Sequence, residues 1–139
     1  MKVLLKKIIL TFSAVVLFAA IQASKNDWEA PKSADAVKNP FANNADASAQ
    51  GKILFNQKCA SCHGTKGKGD GIAGIALNPR PKDLCNPAVQ EQTDGAIFWK
   101  ITNGKSPMAS YQVILKDEQR WQLVNYIREL GKCYPEIKK

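Results

Sequence analysis

"CASCHG", residues 59–64, decides how the rest of the chain is read. Two cysteines stand two residues apart, with a histidine directly after them and a glycine closing the run. Three devices use such a pair: half of a zinc site, a thiol–disulfide exchange site, and the attachment point of a c-type haem. Each makes a different demand on the surrounding sequence.

A structural zinc site needs four ligands, commonly two cysteine pairs or a cysteine pair with a histidine pair. His63 is the single histidine, and no second CxxC occurs. Cys85 and Cys133 stand alone, so a site from Cys59, Cys62, His63 and Cys85 lacks the usual spacing. An exchange site of the thioredoxin kind opens a helix after a strand. Here a helix precedes the pair and a glycine loop follows it. The C-x-x-C-H order itself is the haem signal. Two sulfurs form thioethers with the two vinyl groups on one porphyrin edge, and two intervening residues span that edge. The next residue then projects over the macrocycle, where an imidazole nitrogen reaches the iron.

The N-terminus bears on the fate of the cysteines. Lys2, Lys6 and Lys7 precede the uncharged, mostly apolar run Ile8 to Ile21, and "IQAS" supplies Ala23 as a small residue at a cleavage point. Residues 1–23 read as a secretory signal peptide. The run is shorter than the roughly 20 apolar residues of a spanning helix, and a retained membrane anchor is the alternative. No cysteine stands at the cleavage point, which argues against a lipoprotein anchor. Export to the periplasm places the chain where free thiols become disulfides unless something else occupies them. Removing residues 1–23 takes three lysines from a net charge of +8 and leaves +5. The remaining lysines are scattered rather than clustered with aromatics, so no nucleic-acid surface is expected.

Residues 24–46 are polar and small, with Pro31 and Pro40 and no steady period. They read as an irregular arm, with Trp28 and Phe41 available to pack it against the domain. The domain is expected over 47–133, followed by a tail, 134–139. A helix begins near Ala47, capped by Asp46 or Ser48. "HGTKGKGDGIAGIALNPRPKDLCNP" is rich in glycine and proline and reads as loop. "TDGAIFWKITNG" is a short helix capped by Thr93 and stopped at Asn103-Gly104. The last helix runs from about Lys116 to Leu130, with Leu123, Tyr126, Ile127 and Leu130 on one face and Gly131 ending it. No alternating β-branched run appears, so the fold class is all-α: three to four short helices joined by long loops. Such loops suit a domain whose centre is filled by something large that is not protein.

With these pieces in order, residues 47–131 resemble a class I cytochrome c, in particular the small bacterial mono-haem kind. "GKILFNQKCASCHG" resembles its N-terminal helix running into the haem motif, with Gly51, Phe55 and Cys59 in four-residue steps. "RWQLVNYIREL" resembles its C-terminal helix, and Gly51 matches the glycine at which the two helices cross. "SPMASY" lies where that family supplies the sixth iron ligand.

The resemblance implies a cytochrome c fold around one covalent haem c, with thioethers from Cys59 and Cys62. His63 would be the proximal ligand and Met108 the distal one. Met108 could instead be flexible core filler, but Met1 is the only other methionine and belongs to the leader. A proline carbonyl would orient His63; Pro79 and Pro81 both qualify. Arg80 and Tyr111 are candidates for the haem propionates, and Trp99 and Trp121 for walls of the pocket. Cys85 and Cys133 are not part of the pattern. In an exported chain they are expected to form a disulfide joining the C-terminal helix to the loop around Leu84.

Two strong protein ligands leave no open iron site, and His/Met ligation favours a high potential. The expectation is therefore an electron-transfer protein and not an enzyme. It would be a monomer meeting acidic docking surfaces on membrane respiratory complexes or periplasmic reductases. A subunit tethered to a respiratory complex through residues 1–23 is the alternative. An open-site gas-binding or catalytic haem protein requires that Met108 not bind.

Overall fold

The computed structural model describes residues 28–133. The expected leader and C-terminal tail, and the first residues of the arm, lie outside the described residues. Among the described residues there are helices and turns and no strand, the nearest approach being an isolated bridge between Lys105 and Met108. The helices are α1 (Lys32–Asp35), α2 (Ala45–Lys58), α3 (Ala60–His63), α4 (Pro87–Gln90), α5 (Asp94–Asn103) and α6 (Asp117–Leu130). None of them is long and apolar enough to cross a membrane.

Local chemistry sets most boundaries. The cap of α2 is Asn44, not Asp46 or Ser48. Asn44 has extended backbone (φ −83°, ψ 116°) and its side-chain oxygen accepts from the Ala47 amide at 2.9 Å. Asp46 falls inside the first turn, where its charge complements the helix dipole. Thr93 caps α5 as expected, accepting from the Ala96 amide at 3.0 Å, and Gly104 follows Asn103. α6 ends at Leu130, but Gly131 continues in right-handed conformation into a 3₁₀ turn that carries the chain to Cys133.

Helices α2 and α6 cross at Gly51. A Cβ on Gly51 would land inside contact distance of the Gln122 carbonyl oxygen, so only glycine lets the backbones approach this closely. The crossing buries Phe55, Leu123 and Val124 almost completely, and Phe55 meets the edge of Tyr126 at 5.2 Å between ring centroids. α5 closes the other side of α6. Phe98 stacks on Trp121 at 4.0 Å, and the Arg120 guanidinium lies over the outer face of Phe98 at 4.9 Å. Arg120 is 4% exposed; it donates to the Thr102 hydroxyl at 2.8 Å and pairs with Asp117.

The arm is more ordered than its composition indicates. It forms α1 and then ties into the domain through side chains. Asn39 donates to Asp94 at 2.8 Å and to Asn125 at 2.7 Å, and Asn125 donates to the Phe41 carbonyl. The Thr93 hydroxyl donates to Asp35 at 2.7 Å. The two aromatics do hold it: Phe41 packs on the core, and Trp28 lies under the Lys100 ammonium at 5.5 Å.

Candidate haem-attachment site

α2 does not run straight into the cysteine turn. It pauses at Cys59, whose carbonyl accepts from the amides of both Cys62 at 3.1 Å and His63 at 2.9 Å. That single turn puts the side chains of Cys59 and Cys62, three residues apart, on one face. Both are half-buried and neither is bonded to another cysteine. Burial, together with the neighbouring Cys62, pushes the Cys59 thiol up to about 12. That is opposite to the depressed thiol pKa on which an exchange site depends.

His63 closes the turn with its ring 6.5 Å from that of Phe55. Burial lowers its pKa, and the Lys82 backbone works in the opposite direction. Nδ1 is buried and has no hydrogen-bond partner at normal bonding distance. An imidazole set between an apolar ring and a nearby backbone polar group is chemically able to ligate a metal.

The glycine loop after His63 works as a support. The Gly69 amide donates to the His63 carbonyl at 2.8 Å, and the Ala73 amide to the Ser61 carbonyl at 2.9 Å. Gly69 has φ +75°, and a Cβ there would collide with the Pro81 carbonyl oxygen. Of the two candidate prolines, Pro81 is the one packed beside the histidine turn, and the residue after it, Lys82, acts on the ring. Pro79 and Arg80 are exposed.

Met108 sits on the segment 105–111, half-buried. Met108 and Lys105 exchange backbone hydrogen bonds at 2.8 and 3.0 Å, folding the segment on itself. Three bonds then fix it. The Ser110 hydroxyl donates to the Thr102 carbonyl at 2.6 Å, the Tyr111 amide to the Ile101 carbonyl at 3.1 Å, and the Tyr111 hydroxyl to the Lys58 carbonyl at 2.9 Å. Lys58 immediately precedes Cys59, so the last bond brings the methionine segment to the cysteine turn. Tyr111 spends its proton there. Burial, and then Cys59 and Cys62, raise its pKa. Trp121 is in the core, whereas Trp99 is half-buried outside it.

Cys85 and Cys133 are joined, with their Cα atoms 6.3 Å apart. The bond ties the end of α6 to the loop that carries Pro81, Lys82 and Leu84.

No sequence signal points to the roles of Gly69, Lys58 or Thr102. Gly69 is one of several glycines in its loop, and the other two act through backbone carbonyls.

The chain is 35% identical over 83 residues to cytochrome c6 of Leptolyngbya boryana, covering 60% of this chain and 91% of that protein. A chain of the reducing HAO-like protein complex of Kuenenia stuttgartiensis superposes with a TM-score of 0.57 at 24% identity. That match covers 68% of this chain but 49% of the other, about half its length, and shows the fold alone. The family model for cytochrome c matches residues 48–131, from within α2 through the cysteine turn to the end of α6. A match over more than half of the chain, spanning every element that frames His63, makes this protein a member of the cytochrome c family.

Proposed function

We propose that the chain is an exported single-electron carrier that uses one covalently attached haem c with His63 and Met108 as axial ligands. Membership of the family implies covalently bound haem c. The observation that carries the reading is the cysteine turn: two unbonded thiols on one face, followed by a half-buried imidazole whose Nδ1 has no hydrogen-bond partner at normal distance among the described residues.

When bound, the haem supplies a one-electron Fe(III)/Fe(II) couple, and the chain's residues set its conditions. Cys59 and Cys62 hold the porphyrin edge, and His63 presents a nitrogen from a turn whose position is fixed by the loop beneath it. Met108 offers a soft thioether, which favours the reduced state and raises the potential. The Pro81–Lys82 backbone orients His63, Tyr111 locks the methionine segment to the turn, and the Cys85–Cys133 disulfide closes the far side. Two ligands from the chain leave no position for a substrate, which suits electron transfer.

Partners are expected to be redox proteins with acidic docking faces, such as membrane respiratory complexes or periplasmic reductases. Lysines supply the attraction, and the exposed Ile72 and Val113 supply apolar contact. Both lie on segments bonded to the cysteine turn, Ile72 next to Ala73 and Val113 two residues after Tyr111. Small interfaces of this kind release quickly, as turnover requires.

The test is a reduced-minus-oxidised spectrum of protein made in a host able to attach haem. A low-spin c-type spectrum in the native protein, with haem that stays attached after denaturation, supports the reading; an open, high-spin iron in the wild-type chain defeats it. Intact mass distinguishes the second reading, a subunit tethered through residues 1–23: their retention excludes a free carrier.

A further inference from the structure

The disulfide is more than a staple between two distant points of the fold. Pro81 presses its carbonyl toward Gly69, and Gly69 donates to the His63 carbonyl at 2.8 Å. Two residues further on, the Leu84 amide donates to the Gly67 carbonyl at 2.7 Å. Residues 81–84 therefore back the glycine loop that is bonded to the histidine turn, and Cys85 is the next residue. Asp83 turns back to accept from the Cys85 amide at 2.8 Å, so the cysteine and this backing segment form one short, stiff unit.

That unit is held to α6 in two ways. Gln90 donates from Nε2 to the Leu84 carbonyl at 2.7 Å and to the Ile127 carbonyl at 2.9 Å. The Cys85–Cys133 bond is the covalent tie. Cys85 is 1% exposed, so its end is fixed by packing, whereas Cys133 is exposed at the end of α6 and open to reagents.

We propose that the Cys85–Cys133 disulfide is a positioning device for His63: it holds the 81–84 backbone against the ligand turn and thereby sets the strength of the His63–iron bond. The inference rests on His63 being the axial ligand. Its physical basis is that a backbone acceptor near the outer ring nitrogen makes an imidazole a stronger donor. A stronger donor favours Fe(III). If the backbone drifts away, the ligand weakens and the midpoint potential rises. A staple placed elsewhere would raise stability and leave the potential alone. Reductive opening balances simply: an external dithiol gives two electrons and two protons, the S–S bond breaks into two thiols, and the dithiol becomes a cyclic disulfide.

The experiment compares haem-loaded wild type, Cys85→Ser/Cys133→Ser, and wild type treated with dithiothreitol and then freed of reagent, with thiols counted by alkylation and mass. Covalent haem and a low-spin spectrum in the wild type come first. Their absence would overturn the axial-ligand reading itself, and the inference with it. With them in place, the expected results are a higher midpoint potential and displaced paramagnetically shifted His63 resonances. Amide exchange at Gly69 and Leu84 should be faster by about tenfold. If the opened forms lose thermal stability while the potential and the His63 resonances stay where they were, the disulfide is a staple only and the proposal fails. Should the double variant not fold, the dithiol-treated protein gives the same readings on a fold formed with the bond intact.

Discussion

The segments that carry the two proposed ligands are held by different kinds of force. His63 stands on a turn wedged between a helix crossing and a loop whose backbone touches it directly. The contacts there are steric: Gly51 against the Gln122 carbonyl, and Gly69 against the Pro81 carbonyl. Met108 stands on a segment closed on itself and fastened outward by hydrogen bonds from Ser110 and Tyr111. Steric close packing over-determines a position, because small displacements meet steep repulsion. A hydrogen bond contributes about 1 kcal/mol net and can be exchanged for water. The histidine side should therefore respond to substitution by losing the fold, and the methionine side by losing the ligand while the fold survives.

The largest effect expected is at the covalent link. Cys59→Ser/Cys62→Ser should abolish haem that survives denaturation, read by intact mass. Retention of covalent haem would refute the attachment site. Next is Gly69→Ala. It places a Cβ on a residue at φ +75° and against a carbonyl, and should destabilise by about 3 kcal/mol in denaturant unfolding. Met108→Ala should leave most of that stability intact but convert the low-spin spectrum to high-spin and lower the potential. Ser110→Ala should be milder, about 1 kcal/mol, with the spectrum retained. If Gly69→Ala proved as mild as Ser110→Ala, the contrast between the two sides would not hold.

How far this division could be read in advance follows the distance over which each feature is decided. The cysteine turn was legible because its chemistry is contiguous in the chain. α5 was legible for the same reason, with Thr93 and Gly104 marking its ends. The arm was not, because its order depends on Asn39 meeting Asn125, a side-chain pair 86 residues apart. Which of Pro79 and Pro81 lies near the histidine turn was open because it depends on a contact between Gly69 and a residue twelve positions away. Arg120 went unnoticed, although a signal was present: the apolar stripe Leu123, Ile127, Leu130 extended back one turn lands on it. A charged residue at a core position of a helix marks a buried contact, here the Phe98 face and the Thr102 hydroxyl.

The smallest effect tests the link between the two sides. The Tyr111 hydroxyl donates to the Lys58 carbonyl, one of the last in α2 and short of a helical partner. Tyr111→Phe should cost about 1 kcal/mol at neutral pH. The pH dependence then separates a lost hydrogen bond from lost packing. The folded-state pKa of Tyr111 is raised above its ordinary value of 10.0, first by burial. In the haem-loaded chain the thiols are thioethers, so burial is the cause that remains. A raised folded pKa means its stabilisation is fully present below the unfolded value and is lost as pH rises through the folded one. The advantage of wild type over Tyr111→Phe should therefore hold steady up to about pH 10 and shrink above it, as followed by denaturant unfolding across that range. A difference that stays constant into strong alkali would mean that the phenol contributes by packing alone, and that the methionine segment is not bonded to the cysteine turn through this oxygen.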